Sequence, residues 1–164
     1  MLILGIDPGT AVTGFGLIAG NPPNSFECVD YGTICSSSKT AFPQRLKKIY
    51  DDVAELLQRH PVDAVALEDV FYGKNVQTAM KLGHARGAII IAAMNQGVSV
   101  TTYAARDVKQ ALTGHGGASK EQVRKRVQDE LNLANPISPL DASDALAIAV
   151  CHAHRHWTEQ KMAL

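Results

Sequence analysis

Runs of apolar residues along this chain predict five β-strands. The first run, residues 2–6, is continuous and ends at Asp7-Pro8-Gly9, which is typical of a buried strand stopped by a turn. The next two runs are less regular and predict strands that join the first in an antiparallel meander. The last two are separated by segments with a helical pattern. The predicted strands cover residues 2–7, 13–19, 26–34, 62–67 and 98–103.

Apolar residues spaced three and four positions apart predict the helices. The second helix is apolar nearly all round in its second half, so we expect burial on most sides there. Ser119 and Gln122 have the capping-box spacing at the start of a basic helix, which Asn135-Pro136 ends. Ser138 before Pro139 predicts an N-cap followed by proline at the first helical position. The predicted helices cover residues 42–60, 75–96, 105–112, 119–134 and 139–156.

This order of elements predicts the fold class. Three antiparallel strands followed by alternating helices and strands indicate an α/β fold with a mixed sheet and helices on both of its faces. With 164 residues the chain fits one domain of ordinary size. We expect that domain to cover residues 1–158, followed by a short tail at 159–164.

A ridge of small residues runs along the second predicted helix. Ala79, Gly83 and Gly87 recur every four residues, although glycine inside a helix costs about 1 kcal/mol at each position. Such a ridge allows close approach of a neighbouring strand or of the same helix in a second subunit, or it has no specific contact. We favour a packing role.

Cysteine content and the length of apolar runs indicate the compartment. The three cysteines are widely spaced and form no Cys-x-x-Cys pair, which argues against a disulfide framework and a zinc ribbon. No basic region precedes the first apolar run, and the longest uninterrupted apolar runs, 88–94 and 145–151, are seven residues each. Neither a signal peptide nor a membrane span fits, so we expect a cytoplasmic protein without a membrane partner.

Charge is distributed unevenly, although the net charge of the whole chain is zero. Residues 71–126 contain nine Lys/Arg and two Asp/Glu, a net charge of +7, whereas residues 1–70 and 127–164 carry −4 and −3. A basic block of this kind is compatible with contacts to phosphates, and a solvated helical surface gives the same pattern.

Four carboxylates occupy the ends of buried elements. Asp7 and Glu68 each follow a buried apolar strand, where a carboxylate is unfavourable without a cation or hydrogen bonds. Asp141 and Asp144 share one face in the first turn of the last helix. Asp69 is adjacent to Glu68 on the same strand and therefore points to the opposite face, which excludes it from the cluster. Taken singly, Asp7 could cap its turn, and first-turn acids are common helix starters.

The donor set indicates the metal. Packed together, four carboxylates repel one another unless cations compensate them. Oxygen ligands without a His or Cys cluster select hard divalent ions, so Mg²⁺ or Mn²⁺ is implied. Two such ions about 3.5 to 4 Å apart can activate a water and stabilise the leaving oxygen in phosphodiester hydrolysis.

Five ordered motifs closely resemble the RuvC family of bacterial Holliday-junction resolvases, over nearly the whole chain. They are Ile-Leu-Gly-Ile-Asp7-Pro-Gly-Thr with Thr-Gly-Phe-Gly, Leu-Glu68-Asp-Val-Phe-Tyr-Gly-Lys-Asn, Leu-Gly-His-Ala-Arg-Gly, Tyr-Ala-Ala-Arg-Asp-Val-Lys-Gln and Asp141-Ala-Ser-Asp144-Ala-Leu-Ala-Ile-Ala. The resemblance implies an RNase H-like, retroviral integrase-like sheet of five strands flanked by helices. It also implies a homodimer that makes paired, Mg²⁺-dependent nicks in four-way DNA junctions during recombination and repair, together with the branch-migration proteins RuvA and RuvB.

The resemblance also carries over residue roles. The four acids match the family's metal ligands, and Phe71 matches an aromatic residue placed against bases at the junction centre. Stacking on an unpaired base is worth about 1 to 3 kcal/mol, and the alternative is a loop aromatic packed on the core. Lys109 and Lys120 match family lysines near the scissile phosphate, or they are solvated charges. Arg86 and Arg106 match family arginines that contact the DNA backbone or are structural. The candidate DNA-binding residues are Phe71, Lys74, Arg86, Arg106, Lys109 and Lys120.

Other functions remain as alternatives. The opening motif also resembles the phosphate loop of actin-like and sugar-kinase ATPases, but these need two lobes and 164 residues supply one. A nuclease for another DNA structure, or a dimeric module that binds junctions without cutting, is also compatible with the pattern. His152 and His156 resemble a metal tract, yet eight residues, about 12 Å of helix, separate Asp144 from His152. We expect these histidines to be surface or packing residues.

Overall fold

The computed structural model describes residues 1–20, 26–70 and 75–163, which form five strands and five helices. The strands are β1 (Leu2–Asp7), β2 (Val12–Ala19), β3 (Glu27–Cys35), β4 (Ala64–Glu68) and β5 (Ser99–Tyr103). The helices are α1 (Phe42–Arg59), α2 (Val76–Asn95), α3 (Ala105–Thr113), α4 (Lys120–Glu130) and α5 (Leu140–Met162).

The strands form one mixed sheet in the order β3-β2-β1-β4-β5. β1 pairs antiparallel with β2, and β2 pairs antiparallel with β3, which confirms the predicted meander. β4 is parallel to both β1 and β5, because helices connect these strands. β1 is therefore the central strand, and its carboxyl end lies beside that of β4.

The sheet separates two hydrophobic cores, as the predicted α/β fold requires. Ile3 and Ala66 face α3, α4 and α5, whereas Leu4 and Val65 face α1 and α2. Successive strand residues point to opposite faces, so the continuous apolar runs of β1 and β4 supply both cores.

α5 lies directly against β1 and β2. A Cβ placed on Gly5 would lie 2.1 Å from the carbonyl oxygen of Ala145, and one on Gly16 would lie 2.6 Å from the Leu146 side chain. Glycine on the strands and alanine on the helix thus allow close backbone approach. This packing holds the first turn of α5 at the end of the sheet where Asp7 emerges.

Both predicted limits of the last helix are wrong. Ser138 is not the N-cap, because α5 begins at Leu140 and Pro139 occupies the N-cap with an extended ψ of 170°. Consistent with this, the Pro139 carbonyl accepts a hydrogen bond from the Ser143 amide at 3.4 Å. The helix also continues past His156 to Met162, since no glycine or proline interrupts 157–162. The division at residue 158 stays a prediction, and α5 runs through it.

The expected burial of the second half of α2 is also wrong. Ala85, Ile89 and Ala92 face the core, but Ile91 and Met94 are 54% and 58% exposed. No helix in the described ranges is both long and apolar enough to span a membrane.

The histidines near the end of α5 are packing residues. His152 is buried, and its Nδ1 lies 2.8 Å from the Tyr103 hydroxyl, while burial lowers the pKa of its ring. His156 stacks on His152, and His154 pairs with Glu130. These contacts link α5 to β5 and α4.

Candidate active site

Asp7 and Glu68 are neighbours at the carboxyl ends of two parallel strands. Ile6 of β1 is in register with Leu67 of β4, so the next residue on each strand is one of these acids. Parallel strands that end together place their terminal side chains at one edge of the sheet. The sequence pattern of a buried run followed by an acid therefore located both residues correctly.

The first turn of α5 brings the other two acids to the same edge. Gly14 of β2 is in register with Asp7, and a Cβ on Gly14 would lie 2.0 Å from the backbone oxygen of Asp141. The absence of a side chain at this strand position lets the helix start beside Asp7. Asp144 lies three residues further along, on the same side of the helix.

The electrostatics of Asp7 show that the other three acids act on it. The pKa of Asp7 is raised to about 9, first by burial and then by a side-chain hydrogen bond with Glu68 and by its charge. The negative charges of Asp144 and Asp141 act in the same direction. Desolvation and like charges both disfavour the ionised form, so the acid cluster favours a bound proton or another cation.

Lys120 supplies a cation at the edge of the cluster. Its Nζ lies 2.8 Å from Oδ2 of Asp144, and this hydrogen bond is the main cause of the raised pKa of Lys120. The charges of Asp7 and Glu68 also raise it. Lys120 reaches the site because the capping box of Ser119 and Gln122, predicted from their spacing, starts α4 there.

A small cavity of about 60 Å³ lies beside the acids. Glu68, Asp144, Lys109 and Lys120 line its polar part. Its apolar wall comes from α3, α4 and α5, through Ala105, Val108, Val123, Ala147 and Ile148. Lys109 and Lys120 are therefore within the site region, on helices that pack on the same face of the sheet.

The donor chemistry fits a hard divalent cation. The described residues contain no group of three or more His, Cys, Asp or Glu side chains already spaced to hold a metal ion, and Lys120 occupies one oxygen of Asp144. The four acids nevertheless offer only oxygen atoms, which suits Mg²⁺ or Mn²⁺. The raised pKa of Asp7 indicates negative charge that such an ion would compensate.

The other candidate residues are distributed around the site. Arg106 is in the first turn of α3 and lies against Gly116, where an added Cβ would be 2.9 Å from Arg106 Cγ. Arg86 forms an ion pair with Asp69, away from the acids. Phe71 and Lys74 lie outside the described residues, and their roles stay predictions.

Thr13 is a structural residue of the site that the sequence analysis missed. Its buried hydroxyl donates to the Gly9 carbonyl at 2.7 Å and accepts from the Gly9 amide at 3.2 Å. These bonds close the turn that follows Asp7. A polar residue at an otherwise apolar strand position, four residues after Gly9, was the available signal.

The fold and the acids together define a class. A mixed five-stranded sheet, with acids at the ends of its two central parallel strands and at the start of the helix across it, is the arrangement of an RNase H-like nuclease.

Comparison with known proteins identifies the family within this class. Residues 3–152 match the family described as Crossover junction endodeoxyribonuclease RuvC. The proteins of that name from Citrifermentans bemidjiense and Alkaliphilus metalliredigens are 49% and 47% identical over 154 residues, which cover 94% of this chain and 93% of each relative. The structure of T. thermophilus RuvC in complex with Holliday junction substrate has a TM-score of 0.93 at 36% identity, covering 97% of this chain and 96% of that one. The chain belongs to the RuvC family.

Proposed function

We propose that this chain resolves four-way DNA junctions, with Asp7, Glu68, Asp141 and Asp144 holding two Mg²⁺ ions. The observation that carries this proposal is the meeting of four acids from three separate elements at one edge of the sheet. When bound, the ions would supply Lewis-acid catalysis of phosphodiester hydrolysis, and Mn²⁺ would be able to replace Mg²⁺. The substrate class follows from family membership and from the junction bound to the T. thermophilus relative.

The protein's own residues bind and orient the scissile strand. Lys109 and Lys120 line the cavity beside Glu68 and Asp144, where their ammonium groups can bind phosphate oxygens. Arg106, at the start of α3, extends this positive charge. Phe71 and Lys74, in the segment that follows β4, are proposed to contact an unpaired base and the backbone at the junction centre.

A second copy of the chain is the proposed partner of α2. The exposed apolar residues Val76, Met80, Ile91 and Met94 lie at helical spacing along one face. Between them are Gly83 and Gly87, and a Cβ on either glycine would meet no described atom within 4 Å other than its chain neighbours and the adjacent backbone of its own helix. A continuous apolar face with a flat glycine centre suits close helix–helix packing, and two subunits would place two active sites on one junction.

This dimer proposal is testable at Ile91. We expect Ile91→Asp to raise the dimer dissociation constant by about 100-fold, since burying an unpaired charge costs at least about 3 kcal/mol. Analytical ultracentrifugation measures the change. Met162→Asp is the control, because Met162 is equally apolar and 75% exposed at the far end of α5. A dimer that is unaffected by Ile91→Asp would place the interface elsewhere.

The substrate is tested directly by cleavage. Labelled four-way junction, replication fork and linear duplex are incubated with the protein in Mg²⁺ or in Ca²⁺. We expect symmetric paired nicks in the junction with Mg²⁺, and binding without cleavage in Ca²⁺. Equal cleavage of linear duplex would contradict a junction resolvase. The same junction–protein complex is the proposed point of action of RuvA and RuvB, in the cytoplasm.

A further inference from the structure

Asp69 anchors the end of β4 on the face opposite Glu68. Its backbone amide donates to the Tyr103 carbonyl at 2.8 Å, which continues the β4–β5 ladder one residue past the strand. Its side-chain Oδ1 accepts a hydrogen bond from the Val70 amide at 2.9 Å. The same oxygen lies 2.9 Å from Nη1 of Arg86 on α2. Three contacts therefore hold the residue that directly follows Glu68.

Arg86 is largely buried where it pairs with Asp69. Its side chain is only 17% exposed, whereas that of Asp69 is 52% exposed. Its Nε is buried and has no acceptor among the described residues. Asp69 is thus the only ion-pair partner that the described part of the chain gives this guanidinium. Separating a mostly buried cation from its single carboxylate partner is costly, so the ion pair restricts where the Asp69 carboxylate can lie.

The ion pair lies beside a mostly apolar surface. Asp69 and Arg86 border a cavity of about 510 Å³. The other residues that line it are apolar or glycine, namely Val70, Val76, Ala79, Met80 and Gly83.

We infer that Asp69 and Arg86 are positioning residues, which fix the end of β4 so that the Glu68 carboxylate stays beside Asp7. This inference rests on the proposed function, in which Glu68 is a metal ligand. Because Glu68 and Asp69 are consecutive, movement of the Asp69 backbone moves Glu68 with it. Among the described residues, the side-chain polar contacts of the pair are to each other and to the Val70 amide, so the link to Glu68 runs through the backbone of β4.

The competing role for Arg86 is a direct contact with a DNA phosphate. The two roles predict different behaviour for Asp69→Asn. If Arg86 bound DNA, loss of the Asp69 charge would free its guanidinium and tighten junction binding, while Arg86→Gln would weaken it. If the pair positions Glu68, both substitutions act in the same direction on metal binding and leave junction affinity unchanged.

The experiment compares Asp69→Asn, Arg86→Gln, the double variant and Arg86→Lys in the full-length protein. Lys47→Gln and Asp51→Asn are matched controls, because Lys47 and Asp51 form an exposed ion pair on α1, 2.5 Å apart. Metal binding without cleavage is measured as the rise in melting temperature with Mg²⁺ concentration. Single-turnover nicking in Mg²⁺ and junction affinity in Ca²⁺ at several salt concentrations complete the set.

We expect Asp69→Asn and Arg86→Gln each to need about 10-fold more Mg²⁺ for the same stabilisation and to nick about 10-fold more slowly, as is usual when a residue that orients a metal ligand is removed. The double variant should equal a single one, because both break the same link, and Arg86→Lys should recover part of the loss. The controls should match the wild type.

Two results would overturn the inference. One is an Mg²⁺ titration that is identical in wild type, Asp69→Asn and Arg86→Gln. The other is tighter junction binding by Asp69→Asn with weaker binding by Arg86→Gln. Wild-type protein that nicks no junction would refute the proposed function instead, and the Mg²⁺ titration would still decide whether the pair positions a metal ligand.

Discussion

Asp7→Asn is expected to reduce junction nicking by about 1,000-fold, because loss of one metal ligand removes roughly 4 kcal/mol of transition-state stabilisation. Junction binding in Ca²⁺ should be retained, since a carboxyl group contributes no favourable contact to the DNA phosphates. Single-turnover cleavage in Mg²⁺ and filter binding in Ca²⁺ separate the two effects.

Asp7→Asn is also expected to change the stability of the metal-free protein. Burial and the Glu68 carboxyl raise the pKa of Asp7, which means that its ionised form is unfavourable in the folded protein. Replacement by the neutral, isosteric Asn removes the free-energy cost of placing an ionisable carboxyl group at this position. Asp7→Asn should therefore melt at a higher temperature than the wild type in EDTA, as measured by circular dichroism.

Asp63→Asn is the control for both measurements. Asp63 accepts a hydrogen bond from the Leu2 amide at 2.7 Å, at the opposite end of β1 from Asp7. Asp63→Asn should leave the rate of junction nicking unchanged. Nicking by Asp7→Asn at the wild-type rate would exclude Asp7 from the metal site. If the acids only cap turns and the chain binds junctions without cutting, neither the wild type nor the variant would nick.

The sheet and the acids were predictable because they depend on local patterns. Continuous apolar runs that end in Asp7 and Glu68 describe strands buried on both faces, and the two faces of β1 do supply separate cores. The i, i+3 spacing of Asp141 and Asp144 describes one side of a helical turn. These features need no knowledge of which elements are neighbours.

The errors have a different origin. Apolar periodicity in α2 predicted burial, but it does not distinguish a core-facing side from an exposed apolar side, so the exposure of Ile91 was missed. The pairing of Asp69 with Arg86 joins residues 17 positions apart on different elements, and no local pattern specifies it. Local preference also misplaced the start of α5, where the extended ψ of Pro139 excludes that residue from the helix.

Gly14 connects the fold to the site, and its replacement is expected to damage both. A Cβ on Gly14 would lie 2.0 Å from the Asp141 oxygen and 2.4 Å from its carbonyl carbon, which are backbone atoms that cannot rotate away. Relief of this steric clash requires the first turn of α5 to move away from β2. This movement carries Asp141 and Asp144 away from Asp7. Gly14→Ala should lower the free energy of unfolding by about 3 kcal/mol, which corresponds to a fall in melting temperature of about 6 to 12 °C.

The effect on catalysis should exceed what instability alone produces. A displacement of about 1 Å of a catalytic group reduces the rate by about 100-fold, so slow nicking is expected even at temperatures where Gly14→Ala is fully folded. Gly32→Ala is the matched control on the adjacent strand, because its Cβ would meet the Phe15 ring at 3.0 Å, and that side chain can shift. The control should nick at the wild-type rate. A Gly14→Ala protein with wild-type melting temperature and nicking would show that α5 does not rest on β2 as closely as the structure indicates, and that the two helix acids reach Asp7 by another packing.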